Sequence, residues 1–254
     1  MEQEDRIFEI LEEQLEKDPS AQVYRYELVR RLEKLERFDE AEQLLLDDIE
    51  LAEEGASAGI WFDLGRHHMI RGNYAAAADA TKQGLDQTPN PAPNLLAYYA
   101  EALLYSERFE EALAVADEMT VPAYQHLIRA RVALAKNDPE TALEYFGLSQ
   151  KTWPENPVSR YYAARSAEQI GDFDRAIAEY RYAIRSDPSQ SDSDRRLARI
   201  LSAQGDDAGA YEILQQATRE SDSTAESEST LLAMELLAAL GRSRPLGNTL
   251  TTLS

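Results

Sequence analysis

Arginine recurs at one position of a repeated pattern: Arg30, Arg66, Arg131, Arg165 and Arg199 each directly follow a small or β-branched residue in the middle of an apolar segment, and Glu101 takes the sixth place. Aromatic residues stand near them on the same segments, at Tyr26, Phe62, Tyr98, Tyr105, Tyr124, Tyr161 and Tyr162. A guanidinium holds a carboxylate through a planar fork of donors, and tyrosine offers broad contact area with few torsions to freeze. Such a surface suits an extended acidic peptide or a C-terminal carboxylate. The partner-contacting candidates are therefore Arg30, Arg66, Arg131, Arg165 and Arg199, with Tyr26, Phe62, Tyr98, Tyr105 and Tyr161.

A second reading of the same ladder stands beside it. Arginine stems pack along aromatic rings, and Glu27, Asp63 and Glu168 lie on the same segments as acids able to pair with them inside the stack. Exposed ion pairs of that kind contribute little to stability. The remaining polar residues offer less chemistry. His67 and His68 are adjacent, so on a helix they point about 100° apart and do not share a metal comfortably. His68 and His126 fall at core slots, which makes them packing residues. Asp172, Asp174, Asp206 and Asp207 flank turns, where aspartate caps the helix that follows. The SDSD run at 191–194 lacks the spacing and glycine hinge of a calcium loop. No phosphate-binding glycine loop, nucleophile elbow or paired zinc motif occurs, so no catalytic residue, metal or cofactor is assigned.

The elements that position these residues are set by an internal period. The residues 58–90 read AGIWFDLGRHHMIRGNYAAAADATKQGLDQTPN. Trp61, Leu64, Gly65 and His68 fall at i, i+3, i+4 and i+7, one face of a helix. Gly72 and Asn73 break it. Tyr74, Ala77, Thr81, Gly84 and Leu85 form a second stripe, and Pro89 closes the unit. Gly65 and Ala77 are small where the two helices cross, so the backbones approach closely. Used as a ruler, the small residue opening each second helix recurs at Ala41, Ala77, Ala112, Ala142, Ala176 and Ala210, with gaps of 36, 35, 30, 34 and 34 residues. The short gap reflects a fourth unit that begins early at Pro122, and Asp138-Pro139 supplies an N-cap and an N1 proline there.

Trp-x2-Leu-Gly-x2-His, then Ala-x3-Thr, then Pro, resembles one tetratricopeptide repeat, whose period is about 34 residues. His68 and Thr81 stand where that family usually has Tyr and Phe. The resemblance implies an all-α, right-handed solenoid of antiparallel helix pairs, in which the first helix of each pair lines a concave groove. It covers nearly the whole chain: a half-repeat helix over 1–20, six repeats over 21–222, and a partial seventh repeat or capping helices over 223–254. Residues 2–17 read as an amphipathic helix covering the open N-terminal end. Asp18-Pro19 closes that half repeat as Asp187-Pro188 closes the fifth unit. Ser221 to Thr230 begins as a polar loop, after which Leu231, Leu232, Met234, Leu236 and Leu237 form an apolar helix. Gly241, Leu246, Leu250 and Leu253 then start a second one. An apolar end of this kind is expected either to continue into a longer polypeptide or to join something, a second copy included.

Charge sharpens the functional expectation. The chain carries a net charge of −21, so it repels phosphate backbones and nucleic-acid binding is not expected. The six first-helix segments (22–35, 58–71, 93–106, 123–136, 157–170 and 191–204) nevertheless hold 14 basic against 7 acidic residues. By the resemblance, that places a cationic bias in the groove of an anionic molecule. Zero cysteines exclude disulfides and thiol chemistry. No apolar run approaches a membrane span, and MEQEDRIFEI lacks the basic and apolar regions of a signal peptide. The expected protein is a soluble, cytoplasmic, non-enzymatic scaffold or adaptor for a protein or peptide partner. The alternative is the substrate-recruiting or regulatory array of an enzyme whose catalytic domain lies beyond residue 254. The family's carboxylate-clamp set of Lys and Asn residues is not found on these segments.

Overall fold

The computed structural model describes residues 2–18, 21–51, 57–186, 192–220 and 225–239. Among them, all regular structure is helical. The order is α1 (Glu2–Lys17), α2 (Gln22–Lys34), α3 (Phe38–Leu51), α4 (Ala58–Ile70), α5 (Tyr74–Asp86), α6 (Pro93–Tyr105), α7 (Phe109–Glu118), α8 (Pro122–Ala135), α9 (Pro139–Thr152), α10 (Pro157–Gln169), α11 (Phe173–Ser186), α12 (Ser193–Ala203), α13 (Asp207–Glu220) and α14 (Ala225–Ala239). No described helix is long and apolar enough to cross a membrane. The helices form consecutive pairs, and the chain divides into two compact units, Met1–Met119 and Thr120–Ser254.

Local chemistry explains where the helices begin and end. Proline opens α6, α8, α9 and α10, where its missing N–H has no helical partner to lose. Asp138 accepts from the Thr141 N–H at 3.1 Å and Asn156 from the Ser159 N–H at 2.8 Å, capping α9 and α10. The turn inside each pair has one shape throughout. Glu36, Gly72, Glu107, Asn137, Gly171 and Gly205 all have positive φ, from 58° to 88°. The following N–H then donates back to the carbonyl five residues earlier: Arg37 to Leu32, Asn73 to His68, Arg108 to Leu103, Asp138 to Ala133, Asp172 to Ala167 and Asp206 to Leu201, at 2.8–2.9 Å. This is the left-handed C-terminal cap that satisfies a helix's last carbonyls. Only three of the six positions are glycine.

In the first unit, Phe8 and Leu11 of α1 pack with Leu28, Val29 and Leu32 of α2, Ala41 and Leu45 of α3, and Leu64 of α4. At the α4–α5 crossing, a Cβ on Gly65 would stand 2.4 Å from Thr81 Oγ1 and 3.3 Å from the Ala77 carbonyl oxygen. Only glycine fits there. A Cβ on Gly84 would likewise meet the Phe62 ring at 2.8 Å. In the second unit, Phe146, Tyr180, Leu197 and Leu214 fill the core among Ala130, Ala142, Ala163, Ala164, Ala167, Ala176, Ala198 and Ala210. All six ruler alanines are completely buried, at 0% exposure. The short gap before Ala142 has a cause in the chain: α7 is only 10 residues long, whereas the second helices of the other pairs have 13 or 14.

The loop or frayed turn expected at the start of 221–230 falls on residues outside the described set, and the later part of that polar stretch is helical, from Ala225 onward. Ser229 is buried and its hydroxyl donates to Asp194 at 2.9 Å, which gives a polar side chain a partner within the helical packing. Residues 221–224 lie outside the described set, as do Pro19, Pro188, Gly241, Leu246, Leu250 and Leu253.

Candidate partner-binding surfaces

The candidate residues sit on α2, α4 and α6 in the first unit and on α8, α10 and α12 in the second.

In the first unit, the ladder residue Arg66 does not stand free. Its Nη1 donates to Glu33 Oε2 on α2 at 2.8 Å, and Glu33 Oε1 lies 3.0 Å from Nδ1 of the fully buried His67. Burial works against the Arg66 charge, but the Glu33 hydrogen bond and the carboxylates of Glu33 and Asp63 outweigh it and hold its pKa above the ordinary value. Burial lifts Asp63, with Arg66 opposing. Tyr98 on α6 responds to the same guanidinium: burial pushes its pKa up to about 12 while Arg66 pulls it down. Arg66 Nε and Nη2 and the Tyr98 hydroxyl are all buried without a hydrogen-bond partner. Arg66, Tyr98 and Asp63 thus share one environment, with Tyr26 acting electrostatically on Arg66 from α2.

The other candidates of this unit are placed differently. Arg30 is exposed, its guanidinium 5.9 Å from the Tyr26 ring centroid. Phe62 is half-buried against Gly84. Tyr105 stacks on Tyr74 of α5, with centroids 4.8 Å apart and planes at 26°. Glu27, an acid considered for the ladder, pairs with Arg31 at 2.8 Å.

In the second unit, two ladder arginines converge on a tyrosine pair. The Arg131 guanidinium lies 4.7 Å from the Tyr162 ring centroid, and its Nη2 donates to the Tyr162 hydroxyl at 3.4 Å. Arg165 lies 5.8 Å from the rings of both Tyr161 and Tyr162. Tyr162 in turn stacks on the buried Phe146, with planes 8° from parallel. Tyr161 meets Tyr162 edge-on at 5.0 Å, and its hydroxyl donates to Asp192 at 2.7 Å. Burial, then that hydrogen bond, raises the Tyr161 pKa. Arg199 is exposed on α12.

Two features escape the ladder pattern. Arg196, one turn before Arg199, donates to Asp192 at 2.9 Å and to Glu168 at 3.2 Å, and Glu168 also accepts from the Tyr180 hydroxyl at 2.6 Å. The acid considered for Arg165 is therefore occupied by Arg196 and Tyr180. The slot held by Trp61 in its own repeat is taken by Arg25 and Arg160 in two others. Each is paired with an acid on the next helix, Arg25 with Asp48 and Arg160 with Glu179. Charge at an apolar slot is the sequence sign of such a pair. His126, at the same slot of a third repeat, stacks on Tyr145 with centroids 6.1 Å apart.

A tetratricopeptide repeat family model matches residues 26–90 and 161–225. No curated protein matches the sequence. Among solved structures, a tetratricopeptide repeat protein from Parabacteroides merdae superposes with a TM-score of 0.66 at 13% identity, over 89% of this chain and 91% of its own. Yeast Tom70 gives 0.63 at 14% identity, over 100% of this chain and 63% of its own. The APC/C hetero-tetramer Cut9–Hcn1 gives 0.58 at 13% identity, over 92% of this chain and 46% of its counterpart, so the chain spans under half of that structure's length. At these identities the likeness is one of fold.

Proposed function

The chain belongs to the tetratricopeptide repeat family, and from that premise we propose that it is a non-enzymatic interaction scaffold whose first-helix surfaces hold an acidic or carboxylate-bearing segment of a partner protein. The observation that carries this reading is at Arg66 and Tyr98, where three buried donor groups lack a hydrogen-bond partner. A buried polar atom left without a partner is costly, so donors grouped in one environment favour a ligand that supplies acceptors. A carboxylate brings two acceptor oxygens to them once the partly exposed Arg66 side chain turns outward. In the second unit, Tyr161 and Tyr162 supply flat contact area beside Arg131 and Arg165. Those side chains are held in place before any ligand arrives, which lowers the ordering cost of binding.

The test is an array of acidic peptides and free C-terminal peptides, probed with the native chain and with Arg131→Glu/Arg165→Glu and Arg66→Glu variants. Melting curves establish that the variants fold. The reading expects the captured peptides to be acidic and each variant to lose them. Folded variants that capture the same peptides unchanged would overturn it, and would leave the arginines as packing groups along their tyrosines.

A further inference from the structure

The first unit carries a recess that the arginine ladder does not reach. Leu15 of α1, Leu28 and Leu32 of α2 and Leu44 of α3 line an open pocket of about 550 Å³, with Glu12, Glu16 and Glu40 on its rim. That volume lies within the range of about 300–1,000 Å³ typical of occupied protein sites. On α2, Arg30 is two residues from Leu28, about 200° around the helix, so the leucines and the ladder arginine occupy opposite sides. The recess is thus separate from the surface assigned above.

Its rim is anionic on the α1 side, where Glu12 and Glu16 stand, and Glu40 of α3 adds a third carboxylate. The rim's own cation is committed, because Arg37 donates through Nε and Nη2 to the two carboxylate oxygens of Glu40, each at 2.7 Å. Glu12 and Glu16 are exposed one helical turn apart. Like charges at that spacing oppose each other, a repulsion that an incoming cation relieves. An apolar cleft between helices accepts the apolar stripe of another helix, and the acidic ridge selects the charge flanking that stripe.

We infer that this recess docks a basic amphipathic helix of a partner protein, with Leu-sized side chains between the half-buried Leu15 and Leu44, over the buried Leu28 and Leu32 at its floor, and Lys or Arg against Glu12 and Glu16. The probe is a fluorescein-labelled peptide of about 18 residues, long enough to be helical, with leucines on one face and lysines on the other. Its binding is read by fluorescence anisotropy in salt of about 0.15 M, where attraction between distant charges is screened. Glu12→Lys/Glu16→Lys is expected to weaken binding by about tenfold or more. A charge-matched control, Glu144→Lys/Glu212→Lys on exposed positions of the second unit, changes it little. A peptide with serine for leucine, at unchanged charge, loses binding, and leucine methyl resonances lining the recess shift with the native peptide.

Equal weakening by the two lysine pairs would overturn the inference, as would tight binding of the serine peptide. Either result would reduce the interaction to a cation attracted by an anionic protein. Absence of binding at about 100 μM, a free energy near −5.5 kcal/mol, overturns it as well. Because the lysine pairs lie on exposed positions outside the core, the result does not depend on a core variant folding. The Arg131→Glu/Arg165→Glu variant retains this peptide, so the two proposals succeed or fail apart.

Discussion

Arg160 on α10 donates to Glu179 on α11 at 2.9 Å, an ion pair closed inside a repeat at the slot where another repeat places Trp61. The Arg160 guanidinium also lies 4.1 Å from the Tyr182 ring centroid, and its Nε donates to the Pro154 carbonyl at 2.9 Å. The arginine is thus the hub of several contacts, whereas Glu179 accepts from Arg160 and, at 3.3 Å, from Gln150. Glu179→Ala strands that charge and should cost about 2–3 kcal/mol, below the figure for a fully enclosed pair because some solvent reaches Arg160. Arg160→Leu/Glu179→Leu should recover most of the loss. Urea unfolding of the two variants checks this, and a double variant as unstable as the single one would contradict it.

The α4–α5 crossing admits no side chain at residue 65. Gly65→Ala places a methyl 2.4 Å from Thr81 Oγ1. Overpacking of this kind costs about 1–3 kcal/mol. Thr81→Ala added to it removes the nearest atom but leaves the Ala77 carbonyl oxygen and the Thr81 N–H at 3.3 Å. The double variant should therefore recover part of the loss, not all, in a thermal melt.

The turn residues predict a gain instead. Glu107 holds φ of 60° at the position where Gly72, Gly171 and Gly205 stand in other repeats. An L-residue in the left-handed region is strained by about 1 kcal/mol or more. Glu107→Gly should raise stability by about 0.5–1 kcal/mol after the added freedom of the unfolded chain is counted. Gly171→Ala should lower it by a similar amount or more.

Acid should weaken the fold in two stages. Burial holds the His68 pKa below the imidazole reference of 6.5, with Glu42 opposing, and His126 is lowered by burial and by Arg129. A folded value below the unfolded one means the contribution is complete above pH 6.5 and is lost as pH falls below it. Burial opposes the Glu33 charge, but hydrogen bonds from His67 and Arg66 more than offset it and keep its pKa under 4.5. The same sign applies, so that contribution is lost only below pH 4.5. Melting temperature measured against pH should show both stages. His68→Phe/His126→Phe should flatten the first and spare the second.

Arg165 and Tyr162 should separate binding from folding. Arg165→Gln removes a cation–π contact worth about 1 kcal/mol or less at a partly exposed site. Tyr162→Ala removes a ring stacked on Phe146 and should cost about 2–3 kcal/mol. A stability loss from Arg165→Gln as large as that from Tyr162→Ala would mean that the arginine is a packing element.

The repeat was legible in the sequence because its sterics are local. Ala41, Ala77, Ala112, Ala142, Ala176 and Ala210 are small where the paired helices cross, and all six are fully buried. Asp138, Asp172 and Asp206 cap helices that begin directly after them, so each cap can be read from neighbouring residues. The charged network was not legible. Glu33 lies 33 residues from Arg66 and 34 from His67, and Arg25 lies 23 from Asp48, so these partners meet only once helices stack. Of two adjacent histidines, helical periodicity favours His68 for the core, yet His67 is the fully enclosed one, with its Nδ1 held against Glu33. Glu36 and Glu107 hide the turn in the same way, since nothing in a glutamate announces left-handed backbone.

The shared turn has an engineering consequence. With the same reversal and the same backward hydrogen bond at Arg37, Asn73, Arg108, Asp138, Asp172 and Asp206, the hinge of each pair is interchangeable hardware. Of the hinge at 167–172, the glycine can be carried to position 107 while the buried Leu103 and Leu104 and the Tyr105–Tyr74 stack of the preceding helix stay as they are. The polypeptide is in that sense assembled from parts with a common thread, and its individuality resides in the charges threaded between them.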